Sequence, residues 1–361
     1  MVKFPSRAYI FLSILFLLFG CKNKVLKEQT SVTLANQLKN LVPNPADTLT
    51  FRSGIRCIYQ DSKGHYWFGS HQEGVCRFDG TSFEYFTSAD GLPGDQVYSI
   101  TEDNMGTIWL WTNKGVGSLD TNVKSTFQSN KILPVINRNW QPSSSDIWVG
   151  SENSGELTVI HEGKAYRYGF SLANKQAIDG LQGVTGFSKG KNGTIWMAYY
   201  SGVTGFDGHR FTVINDSTMH YDGTTDYMHV RSILEDSKGR LWVGNNSNGV
   251  LLKEGDSIIN FSRKFGLVDH FIFKNVNPSP PGTLLHVFAI GEDSSGNIWF
   301  GDRDTGAWRY DGREIKNMTV DPRLKSPHIW DIYEDKHGNL LFAMAEGGVY
   351  RYNGSGFHKV F

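Results

Sequence analysis

Apolar and polar residues alternate along most of this chain in short runs of about five residues, punctuated by Gly, Asn and Asp. Val97-Tyr-Ser-Ile100, the stretch around Trp109, and Phe83-Glu-Tyr-Phe86 all read as strands, with no helical segment between them. The runs also repeat. Asp61-Ser-Lys-Gly64-His-Tyr-Trp67-Phe-Gly69 recurs at Asp103 to Trp109, Asp236 to Gly244 and Asp293 to Gly301. Weaker copies are Asp146-Ile-Trp148-Val-Gly150, Gly193-Thr-Ile-Trp196 and Asp335-Lys-His-Gly338-Asn-Leu-Leu341. Anchor positions therefore fall at 67, 109, 148, 196, 242, 299 and 341, a spacing of roughly 40 to 57 residues that suits one propeller blade per copy.

Twelve residues ahead of each anchor stands an aliphatic residue: Ile55, Val97, Ile136, Val184, Val230, Val287 and Ile329. Each copy then divides into four strands. The first ends at Asp-x-x-Gly, a turn closed by a left-handed glycine. The second carries the anchor Trp and then a small residue, where a neighbour must approach closely. The third begins at Gly-Val and ends in Asp79-Gly80, Asp207-Gly208, Asp311-Gly312 or Asn353-Gly354, strong hairpin signals. The fourth is short and aromatic. The expectation is an all-β chain, a seven-bladed β-propeller of four-stranded antiparallel blades over residues 51–361. The Asp-x-x-Gly turns lack the alternating carboxylates and terminal Glu of a calcium loop. Phe357-His-Lys-Val-Phe361 reads as the last blade's own fourth strand, so deleting residues 45–53 is expected to leave stability nearly unchanged unless 47–52 adds a closing strand.

Cys57 and Cys76 fall on the first and third strands of one blade, with the Trp67 strand between them. Strands two apart lie about 9–10 Å from each other, beyond disulfide reach. Two free, buried thiols are expected.

The residues immediately before the seven aliphatic positions are Gly54, Gln96, Val135, Gly183, His229, His286 and His328. Three histidines thus occupy one repeat position in consecutive blades, at the mouth of the channel if the first strand is innermost. A shared loop-capping role is the plain alternative to a ligand site. Zinc–nitrogen bonds near 2.0–2.1 Å are hard to satisfy from separate blades, so no metal ligand is assigned. Trp330, Trp111, Tyr199 and Arg303 complete the candidate ligand-binding set with Gln96 and the histidines. Aromatics beside amide and charged groups suit a small-molecule, glycan or protein ligand.

The first twenty residues differ in kind. Lys3 and Arg7 precede an apolar run from Ile10 to Phe19, the pattern of a secretory signal. It ends Leu18-Phe19-Gly20-Cys21, which resembles the bacterial lipobox and implies lipidation at Cys21. Residues 1–20 are then the lipoprotein signal peptide and 21–50 a lipidated Cys and polar tether. The membrane is expected as a partner through that anchor. Lys22-Asn23-Lys24 replace the acidic residues of surface-exported lipoproteins, which points to the outer membrane's periplasmic side.

Composition narrows the choice. The chain has 361 residues, 36 Lys+Arg against 36 Asp+Glu, 40 Gly and 10 Trp. Plentiful aromatics and zero net charge exclude a disordered chain, and the missing basic footprint excludes a nucleic-acid partner. No Gly-x-Ser-x-Gly elbow, His-Glu-x-x-His, Cys-x-x-Cys or phosphate loop is present, so neither a catalytic residue nor a cofactor is assigned.

The Asp-x-x-Gly-x-ψ-Trp-ψ-Gly core, the Gly74 to Gly80 third strand and Asp90-Gly91-Leu92 resemble the two-component regulator propeller repeats of Bacteroidetes-type periplasmic sensors. That resemblance covers roughly residues 50–361 and implies the fold and a recognition role. With one ring and no kinase region, the chain does not inherit signalling activity. The expectation is a non-catalytic envelope lipoprotein whose propeller face binds a ligand or protein partner in sensing or signalling. The repeats also resemble those of streptogramin lyases, propellers that use a His and Mg²⁺ on this face. The alternative is therefore a lyase or hydrolase using His286 or His328 with Asp302 or Asp304.

Overall fold

A computed structural model describes residues 48–361, apart from 121–126, 131–132, 137–142, 144, 150–155, 170–180, 182, 222–226 and 269–277. The signal segment, Cys21 and nearly all of the tether lie outside the described residues, as do parts of the two long connections at 214–229 and 266–286. Asp47–Phe361 is one compact unit.

Seven antiparallel sheets follow one another along that unit, and the fold is a seven-bladed β-propeller with almost no helix. Blade one pairs Ile55–Gln60, Tyr66–Ser70, Val75–Phe78 and Phe83–Phe86 in chain order. Five other blades repeat this order. First strands of successive blades pack on each other, including Ile55–Gln60 on both Val97–Glu102 and Ile329–Glu334. They form the inner wall.

The repeat motif is a set of hydrogen bonds. In blade one, Asp61 Oδ1 accepts the backbone N–H of Lys63 and His65 at 3.0 and 2.8 Å. Its other oxygen accepts the Trp67 indole N–H at 2.9 Å. Trp109, Trp242 and Trp299 donate in the same way to Asp103, Asp236 and Asp293, each at 2.8 Å. Both carboxylate oxygens are committed to the turn and the indole, so these are structural turns. A charge-assisted bond to a buried indole is stronger than a neutral one, and it fixes the ring in the core between blades.

A second staple joins neighbours. Glu102, the last residue of its first strand, accepts Ser62 N–H of the preceding blade at 2.6 Å. Glu292 does the same for Ser237 at 2.6 Å. Glu235 accepts Lys191 N–H at 2.8 Å and the Trp196 indole at 2.6 Å, replacing the Asp that the fourth copy lacks.

The small residue after the anchor has a specific neighbour. A Cβ on Gly69 would lie 2.8 Å from Val97 Cγ1, on Gly244 2.9 Å from Val287 Cγ1, and on Gly301 2.7 Å from Ile329 Cγ2. The missing side chain admits the aliphatic residue of the next blade's first strand. Blade two breaks this rule with Trp111, which is buried against Tyr98 and reaches Phe187 of blade four. Blade three departs in step. Its described strands are Ile147–Val149, Glu156–His161 and Lys164–Gly169, paired in that order. Ile136 was expected to begin its inner strand. Instead Val135 bridges in parallel to Arg167, and Ile136 N–H donates to the Arg167 carbonyl at 2.9 Å. In blade two Trp111 stands where blades one, five and six have Gly69, Gly244 and Gly301.

Among the described residues, no strand from the N-terminal segment joins the last blade. Phe357–Lys359 pairs with Val349–Tyr352 as the last blade's own fourth strand. Ile58 N–H donates to Asp331 Oδ2 at 2.8 Å, and Gln60 N–H to the Tyr333 hydroxyl at 3.1 Å, across the joint. The expectation that residues 45–53 contribute little needs correction, because Leu49 and Phe51 are buried in the apolar cluster at this joint. Cys57 and Cys76 are both free and buried, as their register requires. Burial pushes the Cys76 thiol up to about 12.

Candidate ligand site in the central channel

Six of the seven first strands carry an irregularity at the same place. The ladder register shifts between Ile55 and Cys57, and likewise at Val97/Ser99, Val184/Gly186, Val230/Ser232, Val287/Ala289 and Ile329/Asp331. A bulge leaves one residue out of the ladder and re-aims its side chain. The six bulged residues are Arg56, Tyr98, Thr185, Arg231, Phe288 and Trp330, and all six line a central cavity of about 850 Å³. That volume lies in the usual range for small-molecule sites.

The bulged side chains engage one another across the channel. Arg56 Cζ sits 4.6 Å from the Trp330 ring centroid and 4.9 Å from that of Tyr98. Arg231 Cζ lies 4.9 Å from the Tyr200 centroid and 5.0 Å from that of Phe288. Phe288 meets Trp330 edge-on at 5.3 Å. His71 stacks on Trp330 at 5.8 Å. Arg56 Nη1 and Gln96 Nε2 approach His71 Nδ1 at 3.3 and 3.2 Å. Two donors converging on Nδ1 make it the acceptor and place the ring proton on Nε2. Tyr98 OH in turn donates to Gln96 Oε1 at 3.2 Å.

Two of the three histidines touch residues that line the channel. His328 packs on Trp330 at 4.4 Å and Phe288 at 4.6 Å, and His229 meets Tyr200 at 5.4 Å. His286 is buried, with Nε2 3.8 Å from Asp304 Oδ2. Burial first, then Arg303, push His328 down to about 3. Burial, Arg231 and His286 push His229 down to about 4, and burial and Arg303 lower His286. All three rings are neutral at neutral pH.

Asp302 and Asp304 are already employed. The two oxygens of Asp302 accept backbone N–H groups of Leu285, His286, Asp304 and Thr305 at 2.7–3.0 Å. Asp304 takes a two-pronged bond from Arg303 at 2.9 and 2.8 Å, and the Ser279 hydroxyl at 2.7 Å. Among the described residues, no three His, Cys, Asp or Glu side chains converge as a metal would require. The donor set therefore does not fit the divalent ion that the lyase reading needs. Nor does His328, pushed down to about 3, suit general base catalysis near neutral pH.

Of the eight residues singled out from the sequence, Trp330 and Trp111 line the cavity. Gln96, His229 and His328 touch lining residues at its mouth, while His286 and Arg303 gather around Asp304 beside them. Tyr199 is buried in the core between blades, and its neighbour Tyr200 faces the channel instead. Arg56, Arg231, Phe288 and His71 escaped the sequence reading. For Arg56, Arg231 and Phe288 the signal was one position away: the variable residue just after each aliphatic marker, where a repeat otherwise keeps its core type.

The fold and channel define a seven-bladed propeller with side chains of unlike chemistry presented from equivalent bulges. Residues 52–72 and 226–247 match the family described as Two component regulator propeller. No curated protein matches the sequence. Among solved structures, the extracellular domain of the one-component system BT4673 from B. thetaiotaomicron is similar with a TM-score of 0.60 at 19% identity, covering 85% of this chain and 40% of that one. A catalytically inactive virginiamycin B lyase from Staphylococcus aureus with quinupristin gives 0.57 at 16% identity, covering 83% and 95%. The WD40 propeller domain of Doa1 gives 0.54 at 10% identity, covering 83% and 92%. At these identities the likeness is one of fold.

Proposed function

We propose that this protein is a non-catalytic binding module of the cell envelope, held to the membrane by a lipid at Cys21, with its ligand site in the central channel. The reading rests above all on the six bulges, which turn Arg, Tyr, Thr, Arg, Phe and Trp into one cavity. A channel serving packing alone would gain most from small apolar residues, whereas these bring two half-buried guanidiniums at a cost in desolvation. The extracellular propeller of BT4673 and the lipobox-like Leu18 to Cys21 both support an envelope location. A role in sensing, or in scaffolding an envelope complex, follows from binding without chemistry.

A thermal-shift screen of the full chain against glycans, peptides and organic acids tests the site. Genuine ligands raise the melting temperature of the wild type and fail to do so for Trp330→Ala. Ligands that stabilise both proteins equally would place the binding site elsewhere.

A further inference from the structure

We infer that the channel selects a small organic anion, an oxyanion head on a flat ring, with Arg56 and Arg231 taking the charge and the aromatic bulges flanking the ring. This rests on the channel being the ligand site and names what that site would take.

The charges of the wall are unbalanced. Lys114, Arg56 and Arg231 line the cavity against one carboxylate, Asp331, whose Oδ2 is tied to Ile58 N–H at 2.8 Å. Among the described residues, neither Arg56 nor Arg231 forms an ion pair, and the Arg231 Nε is buried without a hydrogen-bond partner from the protein. The side chain that answers Arg56 is His71, a neutral acceptor, through Nη1 alone. Burial lowers the Arg56 pKa, and Arg231 pushes it the same way. The two cations thus repel each other in a partly dehydrated channel.

Aromatic faces compensate only in part, since a cation–π contact is weak beside the loss of a charged group's hydration. An uncompensated buried charge costs more than such a contact returns. An oxyanion between the guanidiniums would satisfy both forks, because their donors match carboxylate, sulfate and phosphate geometry. The rings of Trp330, Tyr98, Phe288 and Tyr200 surround the same space and offer stacking and edge contacts to a planar or sugar-like body. Thr185 Oγ1 and Ser232 Oγ, both buried and without protein partners, lie in the wall as further polar groups.

The test compares 2-naphthoate and 2-naphthalenesulfonate with neutral 2-naphthamide by calorimetric titration of the full chain. Both anions are expected to bind the wild type at least tenfold tighter than the amide, and the stronger of the two identifies the head group. Arg231→Gln removes most of that preference, and adding Arg56→Gln makes all three probes bind alike. The melting temperature of the Gln variants stays at or above the wild type, since like-charge repulsion is relieved; this separates lost binding from lost folding. Trp330→Ala weakens all three probes. If the amide binds as tightly as the anions while Trp330→Ala weakens them all, the anion assignment falls and the channel site stands. If no probe responds to any of these substitutions, the channel site falls and this inference with it. Failure of both anions to bind the wild type also overturns it.

Discussion

At the residue scale, the carboxylates divide by what surrounds them. The repeat aspartates are spent on turns and indoles, and Asp302 on four backbone amides. Asp331 differs, because burial pushes it up to about 6 while Ile58 and Ile332 N–H groups draw it down. Its folded-state pKa lies above the ordinary value of 3.8. Its contribution to stability is therefore fully present below pH 4 and is lost as pH rises through about 6. Asp331→Asn keeps an oxygen for Ile58 N–H and removes the ionisation. It should stabilise the protein at pH 7 by on the order of 1–3 kcal/mol, with a benefit that disappears by pH 4. Urea denaturation of both proteins between pH 4 and 7 checks this. An equal difference at every pH would mean that the carboxylate does not titrate in that window.

At the element scale, blades one, five and six each seat the next blade's aliphatic residue against one glycine. Gly301→Ala would set a methyl 2.7 Å from Ile329 Cγ2 and 3.0 Å from Ala289 Cβ. Overpacking of this kind typically costs about 1–3 kcal/mol, whereas Gly356→Ala, with nothing within 4 Å, should cost little. Chemical denaturation of the pair measures the difference. Equal stabilities would show that the joint between blades six and seven has room to spare.

This scale also explains what the sequence could reveal. Asp, Gly, Trp and the aliphatic marker are legible because each answers a constraint that recurs in nearly every blade. Arg56, Thr185, Arg231 and Phe288 were passed over because the bulge frees them from the ladder, so no shared type marks them. Tyr199 was chosen over Tyr200 because alternation within a two-residue aromatic pair does not say which ring faces inward. Ile136 kept its spacing yet pairs with Arg167 of blade three's last described strand, a partnership that spacing alone does not announce.

At the scale of the whole molecule, a closed ring is only as strong as its last joint. Here the first and seventh blades meet through hydrogen bonds and through Leu49, Phe51 and Phe361 packed at the seam. Thr50 N–H reaches the Tyr85 hydroxyl, and Arg52 and Ser53 N–H both reach Glu73. Removing residues 48–53 exposes the seam and discards two buried apolar side chains, each worth roughly 1.5–3 kcal/mol. A fall in stability of about 3–5 kcal/mol is expected by denaturant titration. An unchanged midpoint would mean that the seam holds on its strands alone.

The central claim is that the six bulges form one binding site, and one dissociation constant tests it most directly. 2-Naphthoate should bind Trp330→Ala at least tenfold more weakly than the wild type. Met105→Ala, an exposed turn residue outside the cavity wall, should bind it as the wild type does. An unchanged affinity in Trp330→Ala, or a loss confined to Met105→Ala, would contradict the account.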